Sequence, residues 1–159
     1  MDILKKVKFL TILFFKKYKH TKERVSCLSA ISTDGFMIYK LFKGTVNSEN
    51  YLSFIKEFLQ YFFIKSILLQ DNARIHHAKI VSEFAKENNI KLKFNPPYSP
   101  EFNPVEELFR KIKILLRNKH EHSNLENDIK YVYNNVSLND IKSFFNNSYR
   151  EIEKYQNME

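Results

Sequence analysis

The chain has 159 residues, of which 43% are hydrophobic and 15% aromatic, so it is long enough for one domain with a real core and is not a disordered chain. Its single cysteine, Cys27, excludes an internal disulfide and a cysteine-based zinc cluster, and its small, apolar neighbours predict a buried strand residue. The net charge of +8 favours a polyanionic partner, nucleic acid before membrane. The alternative is that Lys and Asn are simply overused in this sequence.

The first predicted elements are a hairpin and a helix. A Thr33–Gly35 turn separates two β-rich runs and predicts paired strands over Val25–Ser32 and Phe36–Lys43. Apolar residues at helical spacing then predict a helix from Glu49 to Phe63, capped by Asn47 or Ser48.

Strands and helices alternate in the second half of the chain. The run SILLQ predicts a short central strand, Ala78–Asn88 a helix and IKLKFN a strand. Pro104 opens the next helix behind a capping Asn103, and two further helices are expected after it, the second capped by Ser137. This order predicts an α/β domain with a mixed sheet.

Two carboxylates stand where a metal-binding site could form. Asp71 follows the predicted central strand, and open α/β sheets bind ligands at such strand ends. Glu106 follows after 34 intervening residues, in the first turn of the helix that Pro104 opens. Carboxylates from separate elements can hold Mg²⁺ or Mn²⁺ for phosphoryl chemistry. Two alternatives remain: the adjacent Glu107 could take the place of Glu106, or both acids could serve only the helix dipole.

Two motifs carry a family resemblance. The segments DNARIHHAK and NPPYSPEFNPVEELFRKIK resemble the DDE transposase catalytic domain of the mariner superfamily, and the resemblance covers roughly residues 24–118. It implies a ribonuclease H-like fold, with Asp71 and Glu106 as the second and third catalytic acids that hold two magnesium or manganese ions. The implied activity is metal-dependent DNA strand cleavage and transfer, and the implied partner is DNA.

The resemblance also implies roles for residues near the two acids. Asn72 is expected to orient the Asp71 region, whereas Tyr98 and Ser99 are expected to hold the loop before Glu106. Five residues are candidate DNA contacts, with a solvated surface as the alternative for the basic ones and a supporting contact to the metal site as the alternative for His76: Arg74, His76, Lys111, Lys113 and Arg117. We expect His77 to be solvated.

The chain departs from the family pattern at its N-terminus. The family's first catalytic aspartate belongs to an Asp-Glu pair at the end of the first strand, and residues 1–24 contain no such pair. Either Val7–Phe15 occupies the first-strand position without an acid, or the chain is a truncated or frameshifted copy. The fold is therefore expected to be a ribonuclease H-like mixed sheet flanked by helices, with the first strand altered or incomplete and extra C-terminal helices.

The expected organisation is an atypical segment over residues 1–23, a DDE transposase-like core over 24–118 and C-terminal helices of the same domain over 119–159. We expect a transposase remnant that is inactive alone. Two carboxylates bind the metal ions more weakly than three, so the rate of phosphoryl transfer should be much lower. The alternative is a non-catalytic DNA-binding or interaction protein on the same fold. No apolar stretch approaches the roughly 20 residues of a membrane span, so no membrane partner is expected. A homodimer or a complementing full-length transposase is a candidate partner, and the nucleus is the expected location.

Overall fold

A computed structural model describes residues 7–15, 25–60, 67–121 and 124–158, with the backbone alone described for 7–15. The strands are β1 (Val7–Phe15), β2 (Val25–Ser32), β3 (Met37–Lys43), β4 (Ile67–Gln70) and β5 (Lys91–Phe94). The helices are α1 (Ser48–Leu59), α2 (Lys79–Glu87), α3 (Pro104–Asn118), α4 (Leu125–Asn134) and α5 (Leu138–Gln156). Short 3₁₀ turns over Arg74–His77 and Pro100–Phe102 precede α2 and α3.

The five strands form one mixed sheet in the order β3-β2-β1-β4-β5. The central strand β1 runs antiparallel to β2 and parallel to β4, and β5 extends the parallel half. Parallel neighbours require crossover connections, and the helical segments between them supply these. The carboxyl ends of β4 and β5 therefore open at the same edge of the sheet.

Both faces of the sheet are covered by helices. Strand β2 shows this most clearly, since Leu28 and Ala30 pack with α1 and α2, whereas Cys27 and Ile31 pack with α3, α4 and α5. Alternate residues of a strand point to opposite faces, so β2, which is buried at every position after Val25, is covered on both faces. Burial raises the pKa of the Cys27 thiol to about 11, and its buried position confirms the expectation from its neighbours.

Most predicted element boundaries are confirmed to within one or two residues. The caps of α3 and α5 are confirmed: Asn103 accepts from the Val105 backbone N–H at 3.3 Å, and the Ser137 hydroxyl accepts from that of Asp140 at 3.1 Å. Helix α1 begins behind Asn47 and ends at Leu59, earlier than predicted. Residues 61–66, which include the end of that prediction, lie outside the described residues, as do residues 1–6 and 16–23 of the predicted N-terminal segment and residue 24.

The hairpin turn between β2 and β3 is confirmed and requires its glycine. Gly35 has φ of +90°, a conformation that side chains with a Cβ rarely adopt, and its N–H donates to the Ser32 carbonyl at 2.9 Å. A Cβ built on Gly35 would come within 1.8 Å of Leu138 Cδ1, at the start of α5. The turn is therefore a docking point for the last helix.

Candidate active site

The site is built at the carboxyl end of β4. The N–H of Asn95 donates to the carbonyl of Gln70 at 2.8 Å, which holds the chain leaving β5 beside the chain leaving β4. Gln70 is fully buried, and its side-chain oxygen accepts a hydrogen bond from Tyr51 of α1. Asp71 directly follows the buried Gln70, so the end of β4 fixes the backbone position of Asp71.

Local contacts hold the Asp71 carboxylate. Its Oδ1 accepts from the Ala73 backbone N–H at 2.9 Å and lies 2.8 Å from Nδ1 of His76. His76 is fully buried, with its ring centroid 4.3 Å from that of Tyr51. The prediction that His76 contacts DNA is therefore wrong, because the 3₁₀ turn directs its ring into the protein. The same geometry fits a residue that positions Asp71.

Glu106 reaches the site from the opposite side. The Asn103 cap and Pro104 begin α3 here, so Glu106 lies in the first turn of that helix. Desolvation raises the pKa of the Glu106 carboxyl, and the charge of Asp71 raises it further, while Lys113 acts in the opposite direction. Asp71 and Glu106 are 35 positions apart in the sequence, but both line the same cleft.

Both carboxylates line one cleft with a volume of about 170 Å³. The other residues that line it come from the two loops that leave β4 and β5 and from the start of α3: Asn72, Asn95, Pro96, Pro97, Tyr98, Ser99, Pro100 and Asn103. Glu107, the alternative to Glu106, does not line the cleft but lies 2.5 Å from Nη2 of Arg110. The geometry therefore favours Glu106 over its neighbour.

The pair of acids fits a divalent cation with few protein ligands. Within the described ranges, no group of three His, Cys, Asp or Glu residues is arranged to hold a metal ion. Mg²⁺ commonly uses one or two carboxylates and keeps several waters, and a cation would relieve the mutual repulsion of Asp71 and Glu106. The residues present thus suit a weak, largely hydrated site.

Strand β1 brings a third position to this edge. Its parallel register with β4 pairs Leu10 with Gln70, so Thr11 and Asp71 are the next residues along the two strands. On its other side Thr11 pairs with Ser29 of β2. The sequence of β1, VKFLTILFF, contains no acid. The sequence-based prediction left open whether this strand takes the first-strand position without an acid, and it identified no position for the missing acid, because strand register is a tertiary property.

The loop residues have distinct contacts. Asn72 donates through Nδ2 to the Asn95 carbonyl at 2.5 Å, which ties the Asp71 loop to the end of β5. The exposed His77, expected to be solvated, lies 3.3 Å from Oδ1 of Asn72 and stacks on Phe94. The Ser99 carbonyl accepts from Asn95 Nδ2 at 3.3 Å, as expected for a residue that holds the loop. The expectation for the Tyr98 side chain is wrong, because it is fully exposed.

The basic candidates divide into two groups. Arg74, Lys113 and Arg117 are exposed. Lys111 lies about 140° around α3 from Glu106 at about 100° per residue, and it forms an ion pair of 2.6 Å with Asp140 of α5. Of the candidate DNA contacts on this helix, Lys111 therefore lies on a different side from Lys113 and Arg117, against α5.

Helical geometry instead adds Arg110, which the sequence-based prediction missed and which also forms the ion pair of 2.5 Å with Glu107. Glu106, Arg110, Lys113 and Arg117 lie within an arc of about 60° on α3. We call Arg110, Lys113 and Arg117 the α3 basic stripe. The signal was available in the sequence as a spacing of four, seven and eleven residues from Glu106.

Comparison with known families decides the classification. A family model described as DDE superfamily endonuclease matches residues 15–127, more than two thirds of the chain. The chain belongs to the DDE superfamily endonucleases. The match begins at the last residue of β1, so the rest of that strand lies outside it. A search of curated proteins found no match.

Solved structures show which fold this DDE superfamily endonuclease has. The Mos1 transposase catalytic domain with raltegravir and Mn aligns with a TM-score of 0.77 and 19% identity over 96% of this chain and 80% of that one. The Mos1 strand transfer complex aligns with a TM-score of 0.79 and 17% identity over 97% of this chain. A simian T-cell lymphotropic virus intasome aligns at 0.69 and 18% identity over 83% of this chain and 48% of that one. The predicted ribonuclease H-like α/β fold is confirmed.

The chain spans about half the length of two of these relatives. It covers 55% of the Mos1 chain in the strand transfer complex. None of the helices in the described ranges has the length and apolarity that a membrane crossing requires.

Proposed function

We propose that this DDE superfamily endonuclease is a transposase catalytic-domain remnant that binds DNA and retains two of the three metal-binding acids. Alone, it cleaves DNA far more slowly than a complete three-acid site. The observation that carries the proposal is the shared cleft of Asp71 and Glu106, together with a central strand, β1, that contributes no acid of its own.

The two acids would hold a divalent cation, Mg²⁺ or Mn²⁺, between the end of β4 and the start of α3. When bound, such an ion supplies an activated water or hydroxyl nucleophile and stabilises charge on the leaving oxygen. The protein's part is to keep the carboxylates in place. His76 and the Ala73 N–H hold Asp71, and the Asn103 cap sets the start of α3 and therefore the position of Glu106. Neighbouring groups that orient metal ligands typically change metal affinity 10- to 100-fold when removed.

DNA binding is supported by charge and exposure. The chain carries a net charge of +8, and the α3 basic stripe continues from Glu106 along an exposed side of the helix. Exposed arginines and lysines bind phosphates without reading sequence, and each contact contributes a slope of about −0.9 to log K against log salt. With Arg74 on the adjacent turn, we propose that these residues bind the DNA backbone next to the cleft.

The decisive experiment is a nicking assay. The purified chain, supercoiled plasmid and Mg²⁺ or Mn²⁺ are compared with the Asp71→Ala and Glu106→Ala variants and with a complete transposase catalytic domain. We expect at most trace nicking by the chain and no nicking by either variant. Robust nicking that both substitutions abolish would refute the inactivity, whereas nicking that neither affects would identify a contaminant.

A non-catalytic DNA-binding protein on the same fold is the second candidate, and the exposed basic stripe favours it. It predicts salt-sensitive DNA binding that Asp71→Ala and Glu106→Ala leave unchanged, with or without metal. Partnership with a second copy or with a complete transposase, and a nuclear location, would follow from a role on transposon DNA. Neither partnership is needed for the geometry of the cleft.

A further inference from the structure

The side chain of Tyr98, beside the two acids, is unusually exposed. Its side chain has a relative exposure of 101%, and within the described residues it has no hydrogen-bonding, ionic or ring partner. It nevertheless lines the cleft that contains Asp71 and Glu106. An aromatic ring left in water at the edge of a polar cleft is an unfavourable arrangement for an isolated protein, because its apolar surface is not buried.

The backbone at Tyr98 is strained as well. Among the described residues, two besides glycine have positive φ: Asn89 at 55° and Tyr98 at 56°. Asn89 follows the end of α2, where asparagine is a common residue with this conformation. Tyr98 has no such explanation, since bulky residues rarely adopt it and strained residues concentrate at binding and catalytic sites.

The loop around Tyr98 is held firmly. Pro96 and Pro97 restrict the backbone before it, and Asn95 binds the Ser99 carbonyl after it at 3.3 Å. The Ser99 hydroxyl also donates to the Pro97 carbonyl at 3.2 Å. The ring is thus presented from a restrained loop, which lowers the entropy that binding must overcome.

We infer that Tyr98 stacks on an unpaired nucleobase of DNA whose phosphate backbone enters the Asp71–Glu106 cleft, an inference that rests on the proposed binding of DNA. The ring of tyrosine can replace a neighbouring base on one face of the stack, and such contacts tolerate any base because every base has a π face. A duplex offers stacking surface only where its bases are unpaired or displaced. The α3 basic stripe provides the cations for the adjoining phosphates.

The absence of tryptophan from the chain allows a direct test. In Tyr98→Trp the new indole is the only one in the protein, so its fluorescence reports on that position alone. Two DNAs are compared, a blunt duplex and the same duplex with a three-nucleotide single-stranded end. We expect quenching by the second DNA and little by the first. Tyr131→Trp is the matched control, because Tyr131 is also exposed (52%) but lies on α4.

Affinity measurements complete the test. Tyr98→Ala is expected to weaken binding of the DNA with the unpaired end by about 5- to 100-fold and to leave blunt-duplex binding unchanged, whereas Tyr98→Phe retains affinity. Tyr131→Ala should alter neither. Circular dichroism of each variant controls for folding.

The remaining outcomes are distinguishable. If the parent binds both DNAs and Tyr98→Ala binds them equally well, the stacking inference is overturned and the proposed function stands. A Tyr98→Ala variant that loses self-association in sedimentation, with unchanged DNA binding, overturns it in favour of a contact between copies. If the parent binds neither DNA, both the inference and the proposed DNA binding fail.

Discussion

Replacing Thr11 by aspartate should strengthen divalent-metal binding, because position 11 is the next residue of β1 where Asp71 is the next residue of β4. Residues in register on adjacent parallel strands are about 4.8 Å apart, on the same face of the sheet. Thr11→Asp would thus introduce a third acid at the strand position next to that of Asp71. We expect the variant to bind Mn²⁺ or Mg²⁺ more tightly than the parent.

The gain in metal affinity can be estimated from the distance between adjacent strands. A unit negative charge that stays about 5 Å from a divalent cation contributes about 1.7 kcal/mol even at the dielectric constant of water. That energy corresponds to an affinity increase of about 18-fold, and direct ligation would increase it further. In the absence of metal, the added charge lies near Asp71 and should lower the free energy of unfolding by roughly 1 kcal/mol.

The assay is a thermal unfolding titration with Mn²⁺, because a ligand that binds only the folded state raises the unfolding midpoint according to its affinity. Thr11→Asn is the matched control, since asparagine has nearly the shape of aspartate without its charge. A double variant with Thr11→Asp and Asp71→Asn shows whether the gain depends on the neighbouring acid. The plasmid assay with the same proteins tests whether cleavage is restored.

A folded Thr11→Asp variant whose Mn²⁺ affinity equals that of Thr11→Asn would refute the reasoning. It would mean that the register of β1 does not continue to the cleft, so that position 11 is not the missing third position. A gain that survives Asp71→Asn would likewise place the new metal site elsewhere.

Three further substitutions test other parts of the structure. His76→Ala should lower the free energy of unfolding by about 2–4 kcal/mol, measured by urea denaturation, because a buried ring and its contact with Asp71 are lost. Glu106→Gln should slightly stabilise the protein at pH 7 while it weakens Mn²⁺ binding, because Glu106 is an exposed acid whose pKa is raised in the folded state. Gly35→Ala should cost about 1–2 kcal/mol, chiefly from the positive φ, since the Leu138 methyl that it meets is at the end of a movable side chain.

The contribution of Glu106 to the free energy of unfolding depends on pH, and the direction of its pKa shift sets the sign. Its folded pKa lies above the reference value of 4.5, so its stabilising contribution is complete below that value and is lost as the pH rises through the folded pKa. The advantage of Glu106→Gln should therefore be present at pH 7 and disappear below about pH 4.5. An advantage that is equal at pH 4 and pH 7 would exclude the electrostatic explanation.

Controls separate the other two effects from general damage. His76→Gln keeps a hydrogen-bond donor in the pocket and should recover part of the Mn²⁺ affinity that His76→Ala loses. If the loss of affinity came only from general destabilisation, His76→Gln would not restore it. Gly44 has positive φ but no heavy atom within 4 Å of an added Cβ, so Gly44→Ala reports the strain without the contact. Equal costs for Gly35→Ala and Gly44→Ala would show that Leu138 moves aside freely.

Local sequence signals predicted the elements of the fold well. The β2–β3 turn, the Asn103 and Ser137 caps and the apolar periodicity of α3 are properties of short segments, so composition and spacing reveal them. The proline-rich segment and the Asp71 motif also predicted the family, because they are long and specific. Predictions that depended on the direction of a side chain were less successful, as the buried His76 and the exposed Tyr98 show.

The sequence by itself determined the α/β class, the two candidate acids and the lack of an acid in the first strand. Only the tertiary structure decided that Asp71 and Glu106 share a cleft, that Thr11 is the next position beside Asp71 and that Lys111 is engaged by Asp140. The physical reason is that periodicity specifies which face of an element is buried, whereas register and packing between distant elements decide which side chains meet.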